Sequence, residues 1–330
     1  MHTPRRSTLA LATVLAAALG AGCKTRLWDL SDLGDADLAG GSDASAPLDA
    51  AAPDLSIADL SVLPDLTPPP DLTRPHYCNG IYVFEENGNF AFFDPVKLAF
   101  FDLGAVACNV PPGFSPFSMG VSKEGIAWVE YQPTNFSLPS QLYRLDLTTG
   151  YPGACSPSKF ANPGGDFTQF GMGFATDGPG APTETLYVAG DNAQGGSHTL
   201  GSLDLGSLTI SPIGPLDGRA ELTGNGAGEL WAFFADVNPH AGRVDKNTGA
   251  LNPYFRFPQL GDLTYSAFAF GAFGGDFYAF IADEANGQQA STTVYRIGAN
   301  DGSITAVLSN TGRHVVGAGV STCAPIGLDE

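Results

Sequence analysis

An all-β architecture of repeated four-stranded units is what this sequence predicts, on three observations. First, no window of roughly twelve residues beyond the N-terminal segment carries a 3.6-residue apolar period, while 42 Gly and 25 Pro supply many turns in 330 residues. Second, a strand ending in an Asp/Gly hairpin turn recurs at Gln141–Gly150, His198–Ser207, His240–Gly249 and Thr293–Gly302, and more loosely at Asn89–Leu98. Third, an earlier strand in each unit, as in "LWAFFA" and "FYAFIA", is apolar on both faces, where a half-solvated strand would alternate. Four-stranded units at this spacing, with middle strands buried on both sides, are the blades of a β-propeller.

The elements follow in order. Residues 1–22 read as a signal peptide: Arg5 and Arg6 precede the apolar run Leu9–Leu19, which is too short to span a bilayer comfortably. The run ends "LGAGC". The Gly-Ala-Gly-Cys ending resembles the lipobox of bacterial lipoproteins, which implies removal of the signal peptide before Cys23 and lipidation of its sulfur. The family's usual Leu three positions before the cysteine is replaced by Gly20, with Leu19 one position further back. The alternative is ordinary secretion with cleavage nearby. Lys24, in place of the Asp that retains some bacterial lipoproteins at the inner membrane, favours the outer membrane. Residues 23–76 repeat Asp-Leu and Pro-Asp-Leu with no aromatic residue between Trp28 and Tyr77. Such a composition buries no core and reads as a disordered tether, on the order of 150 Å at full stretch. It resembles the linkers of bacterial surface lipoproteins.

Residues 77–330 hold the repeats. The second strands are "GIYVFEE", "GIAWVEY", "ETLYVAG", "ELWAFFAD" and "DFYAFIAD". Four of the five are preceded by a Gly-containing first strand: "FSMGVSKEG", "FGMGFATDG", "RAELTGNGAG" and "YSAFAFGAFGG". Small residues there suit a crowded central axis, where backbones approach one another. The hairpin aspartates Asp94, Asp146, Asp204 and Asp245 occupy equivalent places, with Gly298 at that place in the last copy. The count is five blades, or six if the long unit around "TDGPGAPTET" hides two. At the level of repeat shape, Cys78–Pro325 resembles bacterial propellers of the broad Asp-x-x-Thr-Gly type, as in quinoprotein, NHL and surface-layer-like repeats.

The first unit lacks its own first strand, and the C-terminal "VVGAGVST" matches it, Gly319 and Val320 corresponding to Gly120 and Val121. The expectation is a ring closed by its own chain end. The same alignment puts Cys323 at the end of that strand and Cys78 just before its neighbour, where other units have a tight turn, so a Cys78–Cys323 disulfide is expected. With Cys23 lipidated, Cys108 and Cys155 remain and pair by elimination. No Cys-x-x-Cys or paired His points to zinc.

A formal charge of −19 argues against nucleic acid as a partner. In a propeller the second-to-third-strand loops share one face with the loops that lead into each blade. Four of the former, including "YQPTNFSLPSQ" and "DEANGQQAST", are long and rich in Asn, Gln and Ser, which suits a glycan, a peptide or an envelope protein as ligand. Asp166, Asp217 and Asp262 each stand five or six residues before the matching position of a first strand, with Arg219 and Glu221 just inside and His314 near the equivalent place before the last strand. Carboxylates around such a rim suit a hard cation such as Ca²⁺. They also resemble the acid/base and nucleophile pair of five-bladed glycoside hydrolases, which would give Asp166, Asp217 and Glu221 catalytic roles. Against catalysis, the first two blades bring no carboxylate there, and Asp before a strand is common for turn reasons alone. Ser118 and Ser122 lack a Gly-x-Ser-x-Gly context, and no phosphate loop or dinucleotide fingerprint is present. The reading is a non-enzymatic, lipid-anchored recognition head. The alternatives are a carbohydrate-active hydrolase and a purely structural envelope protein.

Overall fold

The computed structural model describes residues 74–327, apart from 136–137, 150, 154, 193–195, 286–287 and 290. The signal segment, Cys23 and the tether up to residue 73 lie outside the described residues. Blade one takes β1 (Ile81–Glu85), β2 (Asn89–Asp94) and β3 (Ala99–Ala105). Blade two holds β4 (Phe114–Val121), β5 (Ile126–Pro133), β6 (Gln141–Asp146) and the two-residue β7 (Ser156–Pro157). Blade three holds β8 (Gln169–Thr176), β9 (Glu184–Asp191), β10 (His198–Asp204) and β11 (Thr209–Pro215). Blade four holds β12 (Ala220–Gly224), β13 (Leu230–Phe234), β14 (His240–Val244) and β15 (Leu251–Arg256). Blade five holds β16 (Tyr265–Phe273), β17 (Asp276–Ala285), the short β18 (Gln288–Gln289), β19 (Thr293–Gly298) and β20 (Ile304–Leu308). The final strand, β21 (Val315–Gly319), joins blade one in the order β21-β1-β2-β3, and all pairing within the blades is antiparallel. The chain is therefore a five-bladed β-propeller closed by its last strand. The long third unit is a single blade. No α-helix occurs among the described residues.

Closure runs through Tyr82↔Gly319, Val83↔Ala318 and Phe84↔Gly317. Its lower end is joined by the Cys78–Cys323 disulfide, which closes a loop of 245 residues. Its upper end is held by Arg313, whose guanidinium donates to Glu85 at the end of β1 and to Asp102 of β3, 2.7 Å, and lies 4.9 Å from the Phe100 ring centroid. The second disulfide joins Cys108 to Cys155. Two disulfides place the protein in an oxidising compartment outside the cytoplasm.

The core is divided into wedges between neighbouring blades. Phe93 meets Phe280 edge-on at 5.4 Å between blades one and five, and Phe84 meets Tyr131 at 5.6 Å between blades one and two. This explains the two-faced apolar strands: β1 and β13 are buried at every position because each blade has a neighbour on both sides. At the axis the inner strands touch backbone to backbone. A Cβ on Gly171 would sit 2.1 Å from the Ala220 carbonyl oxygen, and one on Gly173 would sit 2.7 Å from that of Leu222. No side chain larger than hydrogen fits there.

The hairpin aspartates do what the repeat demanded. Asp94 accepts the Val96 and Lys97 amides, Asp146 the Thr148 amide, Asp204 the Ser207 amide and Asp245 the Asn247 amide. In blade five, where Gly298 stands at the aligned position, Asp301 takes over and accepts the Ser303 amide at 2.9 Å.

Candidate functional site

The meander sets two faces. One, here the lower, carries the hairpin aspartates and Cys78–Cys323. The other, the upper, carries the loops into each blade and the second-to-third-strand loops, joined by the Glu86 amide to the His314 carbonyl, Phe257 to Pro239 and Glu284 to Thr264. The segment that leads from the tether lies on the lower face: His76 contacts the Leu147 carbonyl at 2.6 Å, and Tyr77 packs beside Gly125.

An innermost strand has a paired outer edge and no strand beyond its inner edge, so its inner amides need side-chain acceptors. Neighbouring blades supply them. The Phe170 amide donates to Glu130 at 3.1 Å and the Met172 amide to the Ser118 hydroxyl at 3.1 Å, both from blade three to blade two. Ala272 of blade five donates to Thr223 of blade four at 3.0 Å. Ser118 in turn donates to Glu221 at 2.8 Å. Two residues of strand separate Phe170 from Met172, about 7 Å, so Glu130 and the Ser118–Glu221 pair line one edge side by side. Both carboxyls are sealed, Glu130 at 0% and Glu221 at 3% exposure. Burial pushes both well above the ordinary carboxylate range. The Ser140 and Ser118 hydroxyls oppose that rise, as does the Arg219 charge.

Arg219 reaches over this acid pair from blade four. Its guanidinium carbon is 5.1 Å from the Phe117 ring centroid of blade two and 5.4 Å from that of Phe268 in blade five. Its Nε is 3.8 Å from Asp191 of blade three. A group that meets four blades at once lies over the axis. Its side chain is 46% exposed, and it makes no hydrogen bond among the described residues. Asp191 is held elsewhere: Gln169 donates to it at 2.8 Å, and the His198 Nδ1 lies 3.4 Å away.

Of the residues singled out from sequence, the structure brings Arg219 and Glu221 together over the axis. It does not gather Asp166, Asp217 and Asp262. Asp166, on a 3-10 turn, accepts the Ser197 and Thr199 hydroxyls of its own blade, which hold its carboxyl below the usual range. Asp217 is exposed, 3.9 Å from His240 of its own blade. Asp262 lines an outer cleft with Val237, Asn238 and Arg256. His314 bridges blades five and one, 3.1 Å from the Ser266 hydroxyl and 3.3 Å from Glu86. Among the described residues no three His, Cys, Asp or Glu side chains assemble a metal site. Sequence reasoning missed Glu130, Gln169 and Asp191. A signal was present, since every second strand carries an acid at or near its upper end: Glu85, Glu130, Asp191, Asp236 and Asp283.

No protein-family model matches the chain, and no curated protein matches its sequence. Solved structures align with the chain at low similarity. A protein of unknown function from Bacteroides caccae aligns over 73% of this chain and 85% of its own, at 11% identity and a TM-score of 0.41. A luciferin-regenerating enzyme aligns over 70% and 77%, at 14% identity and a TM-score of 0.39. A calcium-binding protein, regucalcin, from Agrobacterium tumefaciens aligns over 61% and 66%, at 11% identity and a TM-score of 0.37. At this level of similarity none of these likenesses bears on function.

Proposed function

We propose that this chain is a lipid-anchored envelope protein whose propeller is a non-enzymatic recognition head with its ligand site on the upper face. One observation carries the reading: the segment that enters the propeller, at His76 and Tyr77, packs on the lower face, which leaves the loop-rich upper face and Arg219 uncovered by it. The acids at the axis argue against hydrolysis. Glycoside hydrolysis needs two carboxyls flanking a bound sugar, and Glu130 and Glu221 are instead sealed beneath Arg219 and engaged with an inner-strand amide and a serine hydroxyl. Cys23 supplies the anchor, with several acyl chains contributing roughly 0.8 kcal/mol per buried CH₂. Two measurements test this. Metabolic labelling with an alkyne fatty acid marks the wild type and leaves Cys23→Ser unlabelled. A glycan array screened with the exported protein gives binding without turnover, and that binding is lost when upper-face loops are changed and kept when lower-face turns are. Release of reducing sugar from any bound glycan, abolished by Glu221→Gln, would replace this reading with the hydrolase.

A further inference from the structure

Resting on the upper-face reading, we propose that the top of the axis binds a sugar acid, its carboxylate gripped by the fork of Arg219 and a neighbouring hydroxyl donated to Gln169. Four features of the structure converge there.

The first is an unused fork. A guanidinium carries five N–H donors and matches a carboxylate with two parallel bonds. Arg219 is fixed by ring faces on two sides rather than by acceptors, so its position is set while its donors stay open. The nearest carboxylate, Asp191, cannot close on it. Its Oδ2 already accepts Gln169, and it stands 3.8 Å from Nε, beyond hydrogen-bond distance.

The second is a missing donor beside the fork. Gln169 is 3% exposed, and its Oε1 is a buried acceptor with no partner in the structure. Its Nε2 is on Asp191, so the amide cannot be turned without placing oxygen against oxygen. A hydroxyl adjacent to a bound carboxylate supplies what Oε1 lacks.

The third is charge. Glu221 and Glu130 beneath Arg219 are held toward their neutral forms by burial, which leaves the cation only partly offset. Asp191 stands 3.8 Å from the Arg219 Nε, and the chain is acidic overall. A monoanion meets less repulsion there than phosphate does.

The fourth is shape. The Phe117 and Phe268 faces are spent on Arg219, at 5% and 7% exposure. They offer no apolar pocket for the last side chain of a peptide. The described parts of the upper-face loops instead carry Asn135, Asn192, Ser197 and Asn238, suited to hydroxyls.

The test uses the exported protein titrated with galacturonate, galactose, a tripeptide with a free C-terminus and inorganic phosphate, followed by calorimetry and NMR. The expected result is binding of galacturonate at least about tenfold tighter than galactose, lost by at least about tenfold in Arg219→Gln and only partly restored in Arg219→Lys. Thermal unfolding of each variant reports whether the ring is intact. Equal affinity for galactose and galacturonate, or an unaltered affinity in Arg219→Gln, overturns the carboxylate assignment while upper-face recognition stands. Tighter binding of phosphate or of the tripeptide overturns the sugar acid. No binding of galacturonate by the folded wild type overturns this inference, and glycan binding that survives every upper-face change overturns the wider reading as well.

Discussion

Removing the Cys78–Cys323 link, by replacing both residues with Ala, should cost more stability than any other single covalent change in the protein. The link joins the end of β21 to the start of β1 and closes a loop of 245 residues, against 47 for Cys108–Cys155. In the chain-entropy treatment those lengths correspond to about 5.5 and about 4 kcal/mol. Both are upper figures, since the denatured chain is more compact than the treatment assumes. The shorter loop lies inside the longer one, so the two figures do not add. The native ring does not open when the bond is absent, because β21 keeps its ladder to β1 and Arg313 still spans Glu85 and Asp102. The effect is therefore on the unfolded ensemble and on fraying of the last strand. Urea unfolding followed by tryptophan fluorescence measures it. The Cys78→Ala/Cys323→Ala variant should unfold at lower urea than the Cys108→Ala/Cys155→Ala variant, and both below the wild type. An unchanged midpoint for the first pair, or a larger loss for the second, would refute the reasoning.

Three further outcomes are expected. Arg313→Met strands Glu85, a carboxylate only 5% exposed, and should destabilise by about 3 kcal/mol, with Glu85→Gln in the same chain recovering part of it in a double-mutant cycle. Gly171→Ala forces a methyl to within 2.1 Å of a carbonyl oxygen and should lower the melting temperature sharply, by about 2 kcal/mol or more, while Gly178→Ala, with nothing within 4 Å, should change little. The buried acids set a pH dependence of definite sign. Burial raises Glu130 and Glu221 above 4.5, so between that value and their folded pKa the native state holds protons that the unfolded chain has released. Their contribution to stability therefore declines as pH rises. Relative to the wild type, Glu130→Gln and Glu221→Gln should gain melting temperature as the pH rises above about 5, and a gain toward low pH instead would reverse the assignment.

The sequence pattern reached the ring and stopped short of its centre, for a physical reason. Blade order, closure by Val315–Gly319 and the Cys78–Cys323 pair follow from local repetition, because each blade repeats one hairpin chemistry and each departure from it, such as the absent first strand, leaves a gap of known shape, whereas the choice of five blades over six and the Cys108–Cys155 pair do not. The axis does not repeat. Glu130 lies toward the same end of its strand as Glu85 and Asp283 do of theirs, yet Glu85 meets Arg313, Asp283 meets the Thr264 amide, and Glu130 crosses to the Phe170 amide of the next blade. Which amide each acid meets depends on the offset between blades, and no spacing within a blade encodes that offset. The same limit applies to Asp166 and Asp217. Their alignment before a first strand was real, but a position in front of a strand does not say whether a carboxylate turns to the axis or to a hydroxyl in its own sheet.

The two disulfides stand where the sheet itself is weakest. Cys78–Cys323 occupies the place of the turn that joins first and second strands in the other blades, the one junction the chain cannot make covalently because its ends lie on either side of it. Cys108–Cys155 lies beside β7, whose two residues give blade two an outer edge with only the pairs Tyr143↔Pro157 and Arg144↔Ser156. In the first case a covalent link takes over from an absent turn, in the second from sparse backbone pairing. Stability of the closed ring is thereby tied to an oxidising environment. A chain held in the reducing cytoplasm would keep its hydrogen-bonded blades and lose both links. It follows that the reduced protein should release its last strand before any blade unfolds, with amide exchange at Val315–Gly319 rising ahead of exchange at Leu230–Phe234. Uniform loss of protection across both segments would show that the seam is no weaker than the blades it joins.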